Sequence, residues 1–269
     1  SNPHVQRKPG APLFGEAFPG YGAFVTAQKN RKTLIWAGSN DGMLHAFDAG
    51  SGTSGGASVF SYLPQPMHGR LGAWINPGPV QALADGSPFT ADVLRSVGGG
   101  SPTWATYLFS TLGRGGKGVF ALDVTNTDTL SEANAPNIFK WQFTEADDNS
   151  GDLGYIVEQD NTPSRFTGQP MSVAKMNNGK YAVMFGNGVE SANGSAALYI
   201  FFVNGPGGGA WSRTGTSASY IKLVVPTAAG GNGLAQPLWV DTDSDMIADA
   251  IYAGDLKGNL WKFDVKSSN

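Results

Sequence analysis

Short apolar runs punctuated by glycine recur along the chain. Residues 36–48 (WAGSNDGMLHAFD) read as a strand, a glycine turn and a second strand with alternating side chains. The pattern returns at 112–123 (LGRGGKGVFALD) and 252–264 (YAGDLKGNLWKFD), with the leading glycine ten residues before the closing aspartate in each. A looser copy runs from Phe185, Gly186, Asn187 and Gly188 to residues 198–203 (LYIFFV), stretched by an insertion containing 191–195 (SANGS). The leading glycines Gly38, Gly113, Gly186 and Gly254 are 75, 73 and 68 residues apart. The unit is longer than the roughly 40–50 residues of common propeller blades, yet within reach of a four-stranded blade with long loops. In the second strand one face carries Leu44, Val119 and Leu260; the other carries His45, Phe120 and Trp261 with Phe47, Leu122 and Phe263. Two mostly apolar faces suit sheets stacked face to face around an axis. The expected fold is all-β and β-propeller-like, with about four units of roughly 70 residues. They centre on residues 34–60, 80–126, 170–204 and 235–265 of a single domain over 1–269, taken as a fragment of a larger protein.

Chemistry concentrates in residues 241–249 (DTDSDMIAD), where four carboxylates stand at positions 1, 3, 5 and 9 between two apolar segments. A calcium ion takes six to eight oxygens, and ligands at 1, 3, 5, 7 (through a backbone carbonyl) and 9 wrap a loop around it. The candidate ligands are Asp241, Asp243, Asp245, the carbonyl of Ile247, and Asp249. Met246 and Tyr252 stand where the helix-loop-helix version of such a loop has glycine and a bidentate glutamate. The flanks 238–240 and 250–252 are β-branched and aromatic, so this loop is expected to join two strands. A solvated acidic turn is the competing reading, but four carboxylates in nine residues repel without a counter-ion. Equivalent places in the other units are weaker: Asp85 with Asp92 in one, and no acid within 176–180 in another. A second acidic patch, 145–152 (EADDNSGD), lacks regular spacing and is expected to be a solvated loop.

Composition agrees with many short strands and tight turns. There are 38 Gly and 16 Pro, only 14% charged residues, and no cysteine, which removes both a disulfide framework and a thiol nucleophile. Net charge is −3, and no basic run exceeds residues 28–32 (QKNRK), so no nucleic-acid partner is expected. No segment reaches the roughly 20 apolar residues needed to span a bilayer. The fragment is expected to be soluble, with any export signal upstream of Ser1.

The motifs at 38–48, 115–125, 185–188 and 252–264, in that order from about Leu34 to Val265, resemble the C-terminal β-propeller of the PilC/PilY family of type IV pilus tip-associated proteins. The resemblance implies a calcium loop directly before the last motif, where Asp241, Asp243, Asp245, Ile247 and Asp249 stand. It further implies Ca²⁺ as the cofactor, and action at the bacterial cell surface, pilus tip or outer membrane. Implied roles are support of pilus extension against retraction, twitching motility and adhesion to host or abiotic surfaces, with calcium switching pilus states. The implied partners are pilins and minor pilins. No Arg-Gly-Asp tripeptide is present, so no receptor is carried over.

Other classes remain open. The glycine-turn repeats also resemble quinoprotein dehydrogenase blades, which hold pyrroloquinoline quinone beside Ca²⁺. Only about four repeats are present, however, and the acidic loop is self-contained instead of assembled from several blades. The three histidines, His4, His45 and His68, lie in different contexts and suggest no triad or zinc site, so no enzyme is expected. His45 reads as a packed strand residue. The runs 98–100 and 207–209 lack the Lys-Ser/Thr of a phosphate loop and read as turns. A structural envelope scaffold is the remaining reading, in which Trp74, Trp104 or Trp211 could be contact anchors or blade packing.

Overall fold

The computed structural model describes residues 1–10, 18–74, 81–96, 100–157, 163, 169–226 and 230–267. Gly98, Gly99 and the side chain of Trp74 lie outside the described residues. Four antiparallel sheets follow one another along the chain, each with its strands side by side in sequence order. The first holds β1 (His4–Gln6), β2 (Leu34–Gly38), β3 (Leu44–Asp48) and β4 (Ser58–Tyr62). The second holds β5 (Phe89–Arg95), β6 (Thr103–Thr111), β7 (Gly118–Asp123) and β8 (Phe139–Thr144). The third holds β9 (Val173–Lys175), β10 (Tyr181–Gly186), β11 (Ala197–Phe202) and β12 (Tyr220–Val224). The fourth has β13 (Leu238–Val240), β14 (Ala250–Gly254) and β15 (Leu260–Asp264). Helices are minor: α1 (Tyr21–Ala27), α2 (Gln65–His68), α3 (Ala135–Ile138) and α4 (Glu145–Asp148). The architecture is the all-β, propeller-like one expected, and each glycine-led repeat is a hairpin of a sheet: the central one in the first three (β2–β3, β6–β7 and β10–β11) and β14–β15 at the edge of the three-stranded fourth.

Three hydrophobic clusters lie between successive sheets. Leu34, Trp36, Leu44 and Ala46 of the first sheet meet Leu108, Phe120 and Leu122 of the second. Phe109, Trp141 and Phe143 of the second meet Phe185, Tyr199 and Phe201 of the third, with the Phe143 and Phe201 rings 4.8 Å apart. Met184, Leu198 and Ile200 of the third meet Trp239 and Ile251 of the fourth, where Trp261 and Phe263 also pack. The middle sheets are therefore covered on both faces; β10 and β11 are buried at every position. The outer sheets alternate instead. On β15, Trp261 and Phe263 point to the core while Leu260, 74% exposed, points away.

Glycine leads the repeats because backbone crosses there. A Cβ on Gly38 would lie 2.2 Å from the carbonyl oxygen of Ala84, and one on Gly186 would lie 2.0 Å from that of Ala235, both on the chain entering the next sheet. Gly254 has no such neighbour among the described residues; its nearest is the Asn259 oxygen at 3.9 Å.

Candidate metal centre

The loop 241–249 joins β13 to β14, whose pairing of Val240 with Ala250 closes its base. Its first carboxylate organises it. Asp241 Oδ1 accepts the N–H groups of Asp243 (3.2 Å) and Ser244 (2.7 Å), and Oδ2 accepts that of Met246 (2.8 Å). Charge-assisted bonds of this kind hold a short acidic turn against its own repulsion. The last carboxylate is held as firmly: Asp249, buried, accepts the N–H of Thr242 at 2.7 Å and the Thr242 hydroxyl on the same oxygen. Those bonds, with Lys266 nearby, keep the Asp249 carboxyl below the usual range.

Carboxylate oxygens of Asp241, Asp243 and Asp249 all lie within 4.8 Å of one another. Three of the five expected ligands are thus brought together. Asp245 is turned to another task, accepting the N–H of Ile247 at 2.8 Å. Ile247 also bridges in parallel to Lys175 of β9, and the Ala248 N–H donates to the Lys175 carbonyl at 2.9 Å, so the loop leans on the third sheet. Ser244 and Met246 occupy the left-handed region, with φ of 68° and 64°. Met246 therefore adopts the backbone that glycine supplies at the corresponding position of helix-loop-helix calcium loops, while its side chain packs against the central core. Three converging hard oxygen ligands, two of them fixed in advance by backbone amides, suit Ca²⁺ better than a softer metal.

The second acidic patch is not a solvated loop. Thr144 and Asp147 form a capping box at the start of α4, and beyond it Asp148, Ser150 and Asp152 surround the ammonium of Lys222 from β12. Lys222 Nζ lies 3.3 Å from Asp148 Oδ1 and 2.7 Å from Asp152 Oδ2, and also bonds Ser150 Oγ. The Lys222 side chain is 3% exposed and that of Asp148 0%. Tyr199 donates to Asp148 at 2.6 Å, and Ser195 and Asn193 bond Asp152 at 2.7 and 2.9 Å. Burial pushes both carboxyls up. For Asp148, bonds from Ser150 and Tyr199 outweigh it; for Asp152, bonds from Lys222, Asn193 and Ser195 do, and both end below the usual range. The sequence concealed this because Lys222 lies 74 residues from Asp148.

One further expectation changes. His45 is not packed in the core but lies half-buried on the outer face of the first sheet. Its Nδ1 is 2.8 Å from Ser61 Oγ and its Nε2 2.7 Å from Asp41 Oδ2. Asp41 also accepts the Met43 N–H at 2.9 Å, so this Asp–His–Ser string braces the β2–β3 turn. Trp104 and Trp211 are packing residues. Trp104 donates to the Pro19 carbonyl and stacks edge-on to Tyr21 and Tyr181, and Trp211 donates to the Gln142 carbonyl and meets Trp141 and Phe143 edge-on. Asp92 is likewise no part of an ion loop: it is buried and accepts from the hydroxyls of Tyr21 and Thr106, anchoring α1 on the second sheet. Nothing in the local sequence marks Asn177 in the β9–β10 turn. One side-chain amide donates to both Ala248 O (2.9 Å) and Val265 O (3.0 Å), clamping the acidic loop to the end of the fourth sheet.

Stacked four-stranded sheets, ending in a sheet that carries an acidic loop, define a propeller with one candidate cation site among the described residues. A family model described as the PilY1 beta-propeller domain matches residues 13–269, and the chain belongs to that family. The type IV pilus biogenesis factor PilY1 of Pseudomonas aeruginosa strain PAO1 is 37% identical over 250 residues, taking in 91% of this chain and 18% of that protein. A PilY1 homolog of Xylella fastidiosa strain Temecula1 is 34% identical over 260 residues, 93% of this chain and 15% of its own length. The crystal structure of the P. aeruginosa PilY1 C-terminal domain superposes with a TM-score of 0.71 at 34% identity, covering 97% of this chain and 45% of that one. The chain thus spans less than a fifth of these curated relatives and under half of the solved domain. No helix among the described residues is long and apolar enough to cross a membrane.

Proposed function

We propose that this chain is a calcium-binding, non-enzymatic module of a type IV pilus biogenesis factor. It acts at the bacterial surface or pilus tip to support pilus extension, twitching motility and adhesion. Its partners are pilins or minor pilins, with host or abiotic surfaces beyond them. Family membership supports the pilus setting, since the relatives are named type IV pilus biogenesis factors. The observation that carries the calcium reading is the convergence of Asp241, Asp243 and Asp249 on a loop already shaped by its own amides.

When bound, calcium supplies two positive charges and a demand for oxygen ligands. The chain's own part is to present Asp241 and Asp249 in fixed orientation, to bring Asp243 from the exposed rim, and to offer Asp245 and the Ile247 carbonyl at a small change of the turn. Occupancy then sets the order of the β13–β14 connection, and with it the surface beside it that partners read. A calorimetric calcium titration of the chelator-treated chain tests this. One site is expected, weakened at least tenfold in Asp243→Ala and in Asp245→Ala, with both variants melting like the wild type in chelator. No heat and no calcium-dependent melting shift in the wild type would overturn the calcium reading and leave a scaffold without calcium control.

A further inference from the structure

A basic group reaches the acidic loop from the end of the fourth sheet. Lys266 lies two residues past β15, and its Nζ is 3.4 Å from Asp249 Oδ2 and 3.5 Å from Asp243 Oδ2. These are two of the three carboxylates that converge. The backbone sets it there: the Val265 N–H donates to the Asp249 carbonyl at 2.9 Å, and Asn177 ties Val265 to Ala248. The contact differs in kind from the lysine in the other acidic loop. Lys222 is 3% exposed with three oxygen partners, whereas the Lys266 side chain is 52% exposed and touches its carboxylates at the edge of ion-pair range. A solvated ammonium on a long side chain leaves such a site at little cost.

Resting on the calcium reading above, we propose that Lys266 is the loop's own counter-cation. It quiets the repulsion between Asp243 and Asp249 when the ion is absent and competes with calcium for the same oxygens. An ammonium and a divalent cation within a few ångströms of one another repel strongly, so binding expels the lysine side chain. Two consequences follow. Calcium affinity is set by a competition written into the chain and is weaker than the carboxylates alone would give. In addition, the segment after β15 carries a tethered lysine without calcium and a free one with it, so occupancy is signalled to whatever contacts residues 265–267.

The test is a calcium titration at low and high KCl of the wild type, Lys266→Gln and Lys266→Arg, with melts in chelator and in saturating calcium. Lys266→Gln is expected to bind calcium about three- to tenfold tighter at low salt, as loss of a neighbouring unit charge implies. The gain should shrink at high KCl, where screening shortens the reach of exposed charges, and Lys266→Arg should stay within about twofold of the wild type. In chelator the Gln variant should melt below the wild type, and in calcium level with or above it. Equal or weaker binding by Lys266→Gln, with the wild type binding normally, overturns the competition and leaves the calcium reading standing. Absence of binding in both proteins removes the two together.

Discussion

The two acidic loops begin alike and end differently. Asp148, Ser150 and Asp152 repeat the 1, 3, 5 spacing of Asp241, Asp243 and Asp245, yet the first set closes around Lys222 inside the protein and the second opens toward solvent. A carboxylate cluster requires a cation, and the fold chooses where the cation comes from. Lys222 stands on β12 with its side chain 3% exposed, so that loop is a permanent joint between the segment after α4 and the third sheet. The other loop lies on the fourth sheet, one of whose faces is open, and among the described residues a loosely placed lysine is the cation that stands near it. A built-in cation gives rigidity, and an exchangeable one gives something to regulate.

The strongest way to break the contrast is to remove the internal cation. Lys222→Met leaves Asp148 and Asp152 facing each other with little solvent, and loss of one partner from a buried ion pair costs about 3–5 kcal/mol. For a domain of this size that corresponds to a fall in Tm of roughly 6–15 °C, measured by calorimetry in chelator. Lys266→Gln, by comparison, should shift the chelated Tm by no more than about 3 °C, because exposed pairs contribute about 0–1 kcal/mol. Similar losses from both substitutions would show that the loops do not differ as described.

Acidity sharpens the same contrast through its sign. In the wild type Asp148 and Asp152 lie below their unfolded values. The stability they contribute is therefore complete above about pH 4 and drains away as the pH falls through that value and below. Without Lys222, Asp152 loses the strongest bond opposing its burial and the two carboxylates repel, which lifts at least one of them above its unfolded value, so protonation relieves the variant. The Tm of Lys222→Met should thus rise between pH 7 and pH 5, while that of the wild type holds level or declines slightly. A variant whose Tm falls in step with the wild type would mean that the two carboxylates find another cation.

Much of this was legible in the sequence where the determinants are local. The glycine-led hairpins were readable because a strand, a turn and a strand within thirteen residues carry their own pattern, as at 36–48. The loop 241–249 was readable for the same reason, since its spacing is its geometry. What escaped was whatever depends on a distant partner. The outermost strands β4, β8 and β12 lie beyond the motifs, and the seating of α1 depends on Asp92, 71 residues from Tyr21. Lys222 could not be assigned to Asp148 across 74 residues, so the patch looked like a turn. The clamp by Asn177 bridges 71 and 88 residues at once. Asp245 shows the opposite limit: the spacing placed it correctly on the loop but not its carboxylate, which bonds the Ile247 N–H.

The smallest effect concerns backbone strain, where the loops differ again. The lysine-filled loop turns through the left-handed region at Asn149 (φ 53°) and Gly151 (φ 77°), residue types that tolerate it. The open loop makes comparable turns at Ser244 and Met246 (φ 68° and 64°), which tolerate it less well. Met246 is retained by its packing against the core, but Ser244 is exposed and can be exchanged freely. Ser244→Gly removes a strain of about 1 kcal/mol, part of which is offset by the greater freedom of glycine in the unfolded chain. A rise in Tm of about 1–2 °C in chelator is expected. Calcium affinity should change little, because the Asp241 carboxylate holds the turn without the ion and the relief of strain is common to both states. A fall in affinity on Ser244→Gly would instead show that the strained turn is the shape an ion selects, since the freer glycine populates it less.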